Sequence, residues 1–193
     1  RHGMQGRTLT MMDALFPRAT LVRDILLVVS FGIVTALSAQ AAFYIGLVPI
    51  SGQTLVVVLA GALLGSKRGA LSQLTYLSAG AMGAPVFAGW HGGVAHLMGP
   101  TGGYLFGFVA AAFAVGFLAE RGWDRRLWTA SLAMLIGNIV IYAFGLAWLS
   151  HFVPSGSVLG VGLYPFIPGD MAKTALAAGL LPSGWALLNR LRT

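Results

Sequence analysis

Long apolar runs separated by short polar or glycine-rich breaks dominate this chain of 193 residues. An apolar stretch of about 20 residues is typical of a helix that crosses a membrane. The first, fourth, fifth and sixth runs reach that length, whereas the second is short. The pattern predicts an all-α integral membrane protein with six transmembrane helices. They fall at about residues 23–45, 53–66, 69–84, 101–119, 127–149 and 169–189.

The composition also indicates a membrane protein. Hydrophobic residues make up 57% of the chain and charged residues 9%, and the mean hydropathy is +0.81, whereas soluble domains carry about 25% charged residues. A net charge of +7 suggests nucleic acid as the partner of a soluble chain, but here it indicates basic cytoplasmic loops. We therefore expect the lipid bilayer as a partner and no nucleic acid. Since cysteine is absent, disulfides and thiolate metal sites are excluded.

The charges are distributed unevenly over the predicted loops. With six spans and both termini in the cytoplasm, four of the five acids and eleven of the twelve basic residues lie inside, as the positive-inside rule requires. We interpret residues 1–193 as a single membrane domain, in which residues 1–20 form a poorly ordered or amphipathic cytoplasmic segment. The inner basic residues are Arg1, Arg7, Arg18, Arg23, Lys67, Arg68, Arg121, Arg125, Arg126, Arg190 and Arg192.

Two charged residues remain on the outer side, Asp170 and Lys173, in the segment PFIPGDMAK at 165–173. Asp170 suits the start of a helix, where a carboxylate complements the helix dipole, but Lys173 in the first turn opposes that dipole. Three residues apart, they share a helical face and can pair. Because ionisable residues at membrane depth usually mark function, we prefer a ligand-binding pair over a purely structural one.

Two other breaks open on the same outer side. In GPTGGY at 99–104, the glycines allow close backbone approach, and the first-turn N–H groups suit an anion or a carbonyl. An ordinary threonine cap followed by glycine packing is the alternative. In VPISGQT at 48–54, the glutamine amide suits a ligand or a neighbouring backbone. The candidate binding residues in these two breaks are Gln53, Thr101, Gly102, Gly103 and Tyr104.

The stretch at 85–100 is too apolar for an ordinary solvated loop. Phe87 and Trp90 suit a lid over the apolar body of a ligand, although Trp90 equally suits an anchor at the membrane interface. His91 and His96 have no carboxylate nearby in the sequence, so we expect no metal site.

Polar and small residues within the predicted helices complete the candidates. Asn138 suits either a hydrogen bond between helices or a ligand contact. In the first helix, Thr35 with Ala39 and Ser38 with Ala42 have the four-residue spacing that allows close packing of another helix, from a partner or from this chain. No Ser–His–Asp arrangement, paired carboxylates, HExxH or phosphate-binding loop is present. We therefore expect neither enzymatic activity nor a cofactor.

With these residues in view, the chain resembles the BioY family, the biotin-capturing S components of energy-coupling factor (ECF) transporters. The resemblance covers most of the chain in the family's order. The matching segments are ALSAQ at 36–40, VPISGQTLVVVLAGALLG at 48–65, GALSQLTYLSAGAMGAPVFA at 69–88, GPTGGYLFGF at 99–108 and PFIPGDMAK at 165–173.

The resemblance implies a six-helix fold in the bacterial cytoplasmic membrane, with biotin bound near the outer face beneath an apolar loop. It also implies two kinds of partner, an ECF-T transmembrane subunit and a pair of ATPase subunits that hydrolyse ATP outside this chain. It makes Asp170 and Lys173 candidates for biotin contact. Asp170 suits the ureido N–H groups, and Lys173 suits either the ureido carbonyl or the carboxylate.

Other interpretations stay open at this point. The chain is alternatively an S component or small carrier for another amphipathic anion or vitamin. An intramembrane enzyme that uses Asp170 or His151 lacks a second catalytic group at a suitable spacing. A purely structural assembly subunit is the remaining possibility.

Overall fold

The computed structural model describes residues 8–44 and 46–191, and each of the six predicted runs contains one long helix. A short helix precedes them, a two-stranded hairpin follows the first, and two further short helices lie in later connections. In chain order the elements are α1 Met11–Leu15, α2 Leu21–Gln40, β1 Ala42–Tyr44, β2 Pro49–Ser51, α3 Gln53–Leu64, α4 Ser66–Ala81, α5 Val94–Leu97, α6 Gly102–Ala119, α7 Leu127–Leu149, α8 Val158–Gly162 and α9 Ile167–Leu191.

The hairpin corrects the prediction of a purely α fold. The first helix ends at Gln40 rather than near residue 45, and β1 pairs antiparallel with β2, with Phe43 opposite Ile50. The prediction of one continuous helix was wrong because a short apolar run does not distinguish a helix from a strand. The hairpin brings Ser51 to the start of α3.

Helix α6 lies at the centre of the bundle and packs against α3, α4 and α7. Small side chains allow these helices to approach closely, which is typical of packing in membranes. At the crossing of α3 and α4, a Cβ atom on Gly69 would lie only 2.8 Å from the Cα atom of Gly61. Glycine at 69 is therefore required for this crossing.

Helix α2 lies at the edge of the bundle, and its small residues face the other helices of this chain. Thr35 and Ala39 are completely buried, and Thr35 accepts a hydrogen bond from Gln73 of α4 (3.1 Å). Of the two alternatives, a partner helix and a helix of this chain, the second describes Thr35, because α4 occupies that face. Ala42 lies in β1, so it does not continue the helical face of the half-buried Ser38.

Three helices in the described part of the chain, α2, α6 and α7, are long and apolar enough to cross a membrane. Helix α3 is equally apolar but has 12 residues. Helix α9 has 25 residues and carries the polar residues of PFIPGDMAK in its first turns. These helices agree with an integral membrane protein.

Most charged residues gather at one end of the bundle, which we call the charged end. There Arg23 and Arg68 each pair with two aspartates, at 2.7 to 3.1 Å. The predicted inner residues Arg1, Arg7 and Arg192 lie outside the described residues. The charged end is defined by Asp13, Arg23, Asp24, Arg68, Glu120 and Asp124.

Candidate ligand-binding site

A small polar pocket lies at the opposite end of the bundle, which we call the pocket end. This end comprises the hairpin at 42–51, the loop at 82–101 and the first turns of α9. The pocket encloses about 50 Å³. Its polar lining consists of Ser51, Gln53, Thr54, His96, Thr101, Tyr104 and Lys173, and its apolar lining includes Val48, Leu105, Phe108 and Phe166.

Lys173 links the pocket to three polar groups. Its Nζ atom donates to the Ser51 carbonyl (2.6 Å), to the Thr54 hydroxyl (3.0 Å) and to Oδ1 of Asp170 (3.4 Å). The side chain is 20% exposed and extends from the second turn of α9 to the start of α3. The predicted pairing of Asp170 and Lys173 is therefore present, with a positive charge in the pocket wall.

Asp170 lies behind Lys173 and does not line the pocket itself. Its buried carboxylate accepts from the Thr54 hydroxyl (3.3 Å) and from the Tyr142 hydroxyl of α7. Helix α9 begins three residues earlier, at Ile167, so Asp170 occupies the first turn rather than the cap. The carboxylate thus holds side chains of α3, α7 and α9 in place around the ammonium group.

Gln53 is the first residue of α3 and lines the pocket with its amide group. The Nε2 atom donates to the Tyr76 hydroxyl (2.7 Å), and Oε1 accepts from the Ser51 hydroxyl (3.1 Å). The glutamine is 4% exposed. Its amide therefore braces α3 against α4 as well as contributing to the pocket wall.

The GPTGGY segment divides between the pocket and the helix packing. Thr101 and Tyr104 line the pocket, and the tyrosine hydroxyl donates to the Gly162 carbonyl (2.7 Å). Gly103 instead lies against Trp148 of α7 and Gly102 against the Leu97 carbonyl, and an added Cβ atom would clash at both positions. The packing alternative thus describes Gly103, which packs against α7 together with Gly107.

The two aromatic residues predicted for the lid point elsewhere. Phe87 is completely buried and packs edge-on against Tyr76, with the ring centroids 5.5 Å apart. Trp90 is 68% exposed, and its backbone N–H donates to Oε1 of Gln40 (3.0 Å). Neither residue lines the pocket. Phe87 anchors the loop in the core, and the smaller Ala88 reaches the pocket instead.

Asn138 belongs to a different cavity, a groove of about 570 Å³ between α7 and α9. Its Nδ2 atom donates to the Thr174 hydroxyl (3.0 Å), which joins the two helices. Tyr142 and Asp170 lie on the floor of the same groove, whose other walls are mainly apolar. The structure therefore does not bring Asn138 to the polar pocket.

Sequence reasoning missed several residues that the structure places at or behind the pocket. Thr54 and Ser51 flank Gln53 in VPISGQT, but nothing in that segment indicated contact with α9. His96 was considered only as a metal ligand, and Tyr142 gave no signal within its apolar run. A tyrosine in a membrane-spanning segment whose hydroxyl needs a partner was the available clue.

The fold and the pocket define a class, a helical membrane protein that holds a polar binding pocket beneath the connecting segments at one end of its bundle. The BioY family model matches residues 8–190. This chain belongs to the BioY family.

Similar proteins are known from distant organisms. The chain is 43% identical over 155 residues to a probable biotin transporter BioY of Pyrococcus horikoshii, covering 80% of this chain and 91% of the relative. It is 42% identical over 151 residues to the biotin transporter BioY of Thermotoga maritima, covering 76% and 88%.

A solved structure extends the likeness to three dimensions. The crystal structure of the S-component for biotin from an ECF-type ABC transporter matches with a TM-score of 0.71 and 28% identity, covering 91% of this chain and 95% of the other.

Proposed function

We propose that this chain is the S component of an ECF-type vitamin transporter and that it captures biotin at its pocket end. Lys173 carries the proposal, because it places an ammonium group in the wall of a pocket whose other polar groups are neutral donors and acceptors. Biotin combines a carboxylate, a ureido group and an apolar body. The pocket combines a cation, amide and hydroxyl groups, and the aromatic surface of Phe108 and Phe166.

The proposed ligand enters by movement of the pocket end. A space of about 50 Å³ holds only a few water molecules, so a bicyclic vitamin requires the walls to move apart. Two walls of the pocket, the hairpin and the loop at 82–101, contain no long helix, so we propose that these walls move. Gln40, at the end of α2, holds the loop in place, because its Nε2 atom donates to the Phe87 carbonyl and its Oε1 atom accepts from the Trp90 N–H, both at 3.0 Å.

The proposal includes a topology and partners. The chain forms one membrane domain that crosses the bacterial cytoplasmic membrane six times, with both termini and the charged end in the cytoplasm, as the positive-inside rule favours. An ECF-T subunit and a pair of ATPase subunits supply the energy, and this chain catalyses no reaction. The groove between α7 and α9 is not the proposed ligand site, because Lys173 does not line it.

The thermal stability of the purified protein in detergent, with and without biotin, tests the proposal. A ligand that binds only the folded state raises the unfolding temperature, and at 100 times its dissociation constant it adds about 2.7 kcal/mol. Thiamine and riboflavin are added in separate samples as alternative ligands. Stabilisation by another vitamin but not by biotin would transfer the proposal to that ligand. No stabilisation by any of them would favour a structural subunit.

A further inference from the structure

Three aromatic rings form a stack beside the pocket, in the order Phe87, His96, His91. The centroids of Phe87 and His96 are 5.1 Å apart, with 18° between the ring planes. Those of His96 and His91 are 5.2 Å apart, with 15° between the planes. Phe87 is completely buried and His91 is exposed. The stack therefore runs from the core to the surface, with His96 in the middle.

His96 is the ring of this stack that lines the pocket. Its Nε2 atom lies 3.5 Å from the hydroxyl oxygen of Thr101, another pocket residue. His96 belongs to α5, whose Leu97 packs into the core, and the stack with Phe87 is a further contact of this segment with the core. The position of the imidazole thus sets the position of the pocket wall that it forms.

We propose that His96 is a ligand-positioning residue of this pocket and that it acts as a neutral imidazole, so that acidification of the outer solution weakens ligand capture. This inference rests on the proposed function. A neutral ring loses little hydration free energy when it stacks between a buried phenyl ring and a second imidazole. An imidazolium ion in the same place loses much more, because burial disfavours the charged form.

The surroundings of His96 offer little that stabilises a positive charge. The only carboxylate on the pocket side among the described residues, Asp170, already contacts Lys173, Thr54 and Tyr142. The titratable and charged groups that face the stack or the pocket from the neighbouring elements are His91 of the loop, Tyr44 of β1, Tyr76 of α4, Tyr104 of α6 and Lys173 of α9.

The sign of the pH effect follows from these contacts. Burial, followed by the neighbouring His91, lowers the pKa of His96 below its ordinary value of 6.5. With the walls moved apart only far enough to hold the ligand, His96 stays between the stack and the ligand, so the liganded pocket end binds fewer protons than an open one, in which the imidazole is hydrated. As the pH falls through the ordinary value, protonation favours the open arrangement and the affinity for the ligand decreases.

The test measures the biotin dissociation constant of the purified full chain between about pH 8 and about pH 5.5, the range in which histidine titrates. We expect the wild-type affinity to fall about tenfold for each unit by which the two states differ in pKa. His96→Gln keeps a neutral polar side chain, so its affinity should not change with pH. His151→Gln, which replaces an exposed histidine outside the pocket, should keep the wild-type profile.

Calorimetry on the wild-type protein gives a second readout that needs no variant. Binding near pH 6 should release protons, seen as a dependence of the binding heat on the ionisation enthalpy of the buffer. An affinity profile shared by wild type and His96→Gln, or binding without proton release, would overturn the inference. Absence of biotin binding at about pH 8 would instead contradict the proposed function, so the two failures are distinguishable.

Discussion

The charged end and the pocket end use ionisable side chains in opposite ways. At the charged end, two arginines and two aspartates form a closed network, in which every charge has two partners of opposite sign. At the pocket end, Lys173 contacts one carboxylate within the described chain, that of Asp170, at 3.4 Å. Its shorter contacts are to neutral oxygen atoms.

We infer from this difference that the charges at the charged end stabilise the fold, whereas Lys173 binds the ligand under the proposed function. A closed network satisfies its own charges and leaves little for another molecule. An ammonium group has three donors, and the longest of the three contacts of Lys173 is the one to Asp170. A ligand oxygen can replace that contact at little loss while the carboxylate stays nearby. Substitutions at the two ends should therefore affect different quantities, ligand affinity at one and stability at the other.

Removal of the Lys173 ammonium group should give the largest effect. Lys173→Ala removes the cation that an oxygen of the ligand would contact, and truncation of one partner of a charge pair buried on binding costs about 2–5 kcal/mol of binding free energy. We expect the affinity for biotin to fall more than about 100-fold, measured by equilibrium binding to the purified variant. The matched control is Lys67→Ala, an exposed lysine at the opposite end, which should bind as wild type does. Near-normal binding by Lys173→Ala would contradict the assignment of the pocket.

Substitution of Asp170 should have a smaller effect on affinity. Asp170→Asn keeps an oxygen that accepts from Thr54 but removes the charge opposite Lys173. Hydrogen bonds to charged groups contribute about 2 kcal/mol, so we expect a loss of about 30-fold. Tyr142→Phe removes only the hydroxyl contact behind the carboxylate and should lose less. A loss for Asp170→Asn equal to that for Lys173→Ala would mean that the carboxylate itself contacts the ligand.

At the charged end, loss of Arg68 should lower stability and leave affinity unchanged. Arg68→Ala removes the pairs with Asp13 and Asp24 and the bond to the Leu64 carbonyl (2.8 Å). Because the aspartates are partly exposed, the loss of stability is about 1–2 kcal/mol rather than that of a buried pair. The unfolding temperature without ligand should fall, while the rise caused by biotin stays the same. A lower affinity for biotin would show that the two ends are coupled.

The same contrast explains which features were predictable from the sequence. The six helices follow from apolar runs, and the Asp170–Lys173 pair follows from spacing within one helix, because both are local patterns. The hairpin at 42–51 was missed because its apolar residues extend the run of α2. The contacts of Lys173 with Ser51 and Thr54 join segments about 120 residues apart, and no spacing rule reports such contacts.

The orientation of the loop at 82–101 shows a second limit. Its apolar composition indicated a covered pocket, but it did not indicate which ring faces inward. Phe87 packs into the core, Trp90 faces outward, and Ala88 and His96 form the wall. The path of the loop backbone determines which side chains face inward. The Gly93 N–H of the loop donates to the Gly80 carbonyl of α4 (2.6 Å), which fixes this path relative to the bundle. Such a contact depends on the folded bundle rather than on the order of residues.

The smallest expected effect concerns Asp124, a buried acid of the charged end outside the ion network. It accepts a hydrogen bond from Nε1 of Trp185 (2.6 Å) and is 2% exposed. Burial raises the pKa of Asp124 above its ordinary value of 3.8. The folded state therefore favours the protonated acid, and this contribution to stability is present below the ordinary value and lost as the pH rises through the raised one.

Asp124→Asn should remove this dependence, because asparagine does not titrate and its amide oxygen still accepts from Trp185. Between about pH 4 and neutrality, the unfolding temperature of the wild type should fall relative to that of the variant. The difference should be a few degrees at most, since the Trp185 hydrogen bond and the nearby Arg125 oppose the effect of burial. The affinity for biotin should be the same in both proteins. Parallel stability profiles would contradict this expectation, because they would show that folding does not raise the pKa of Asp124.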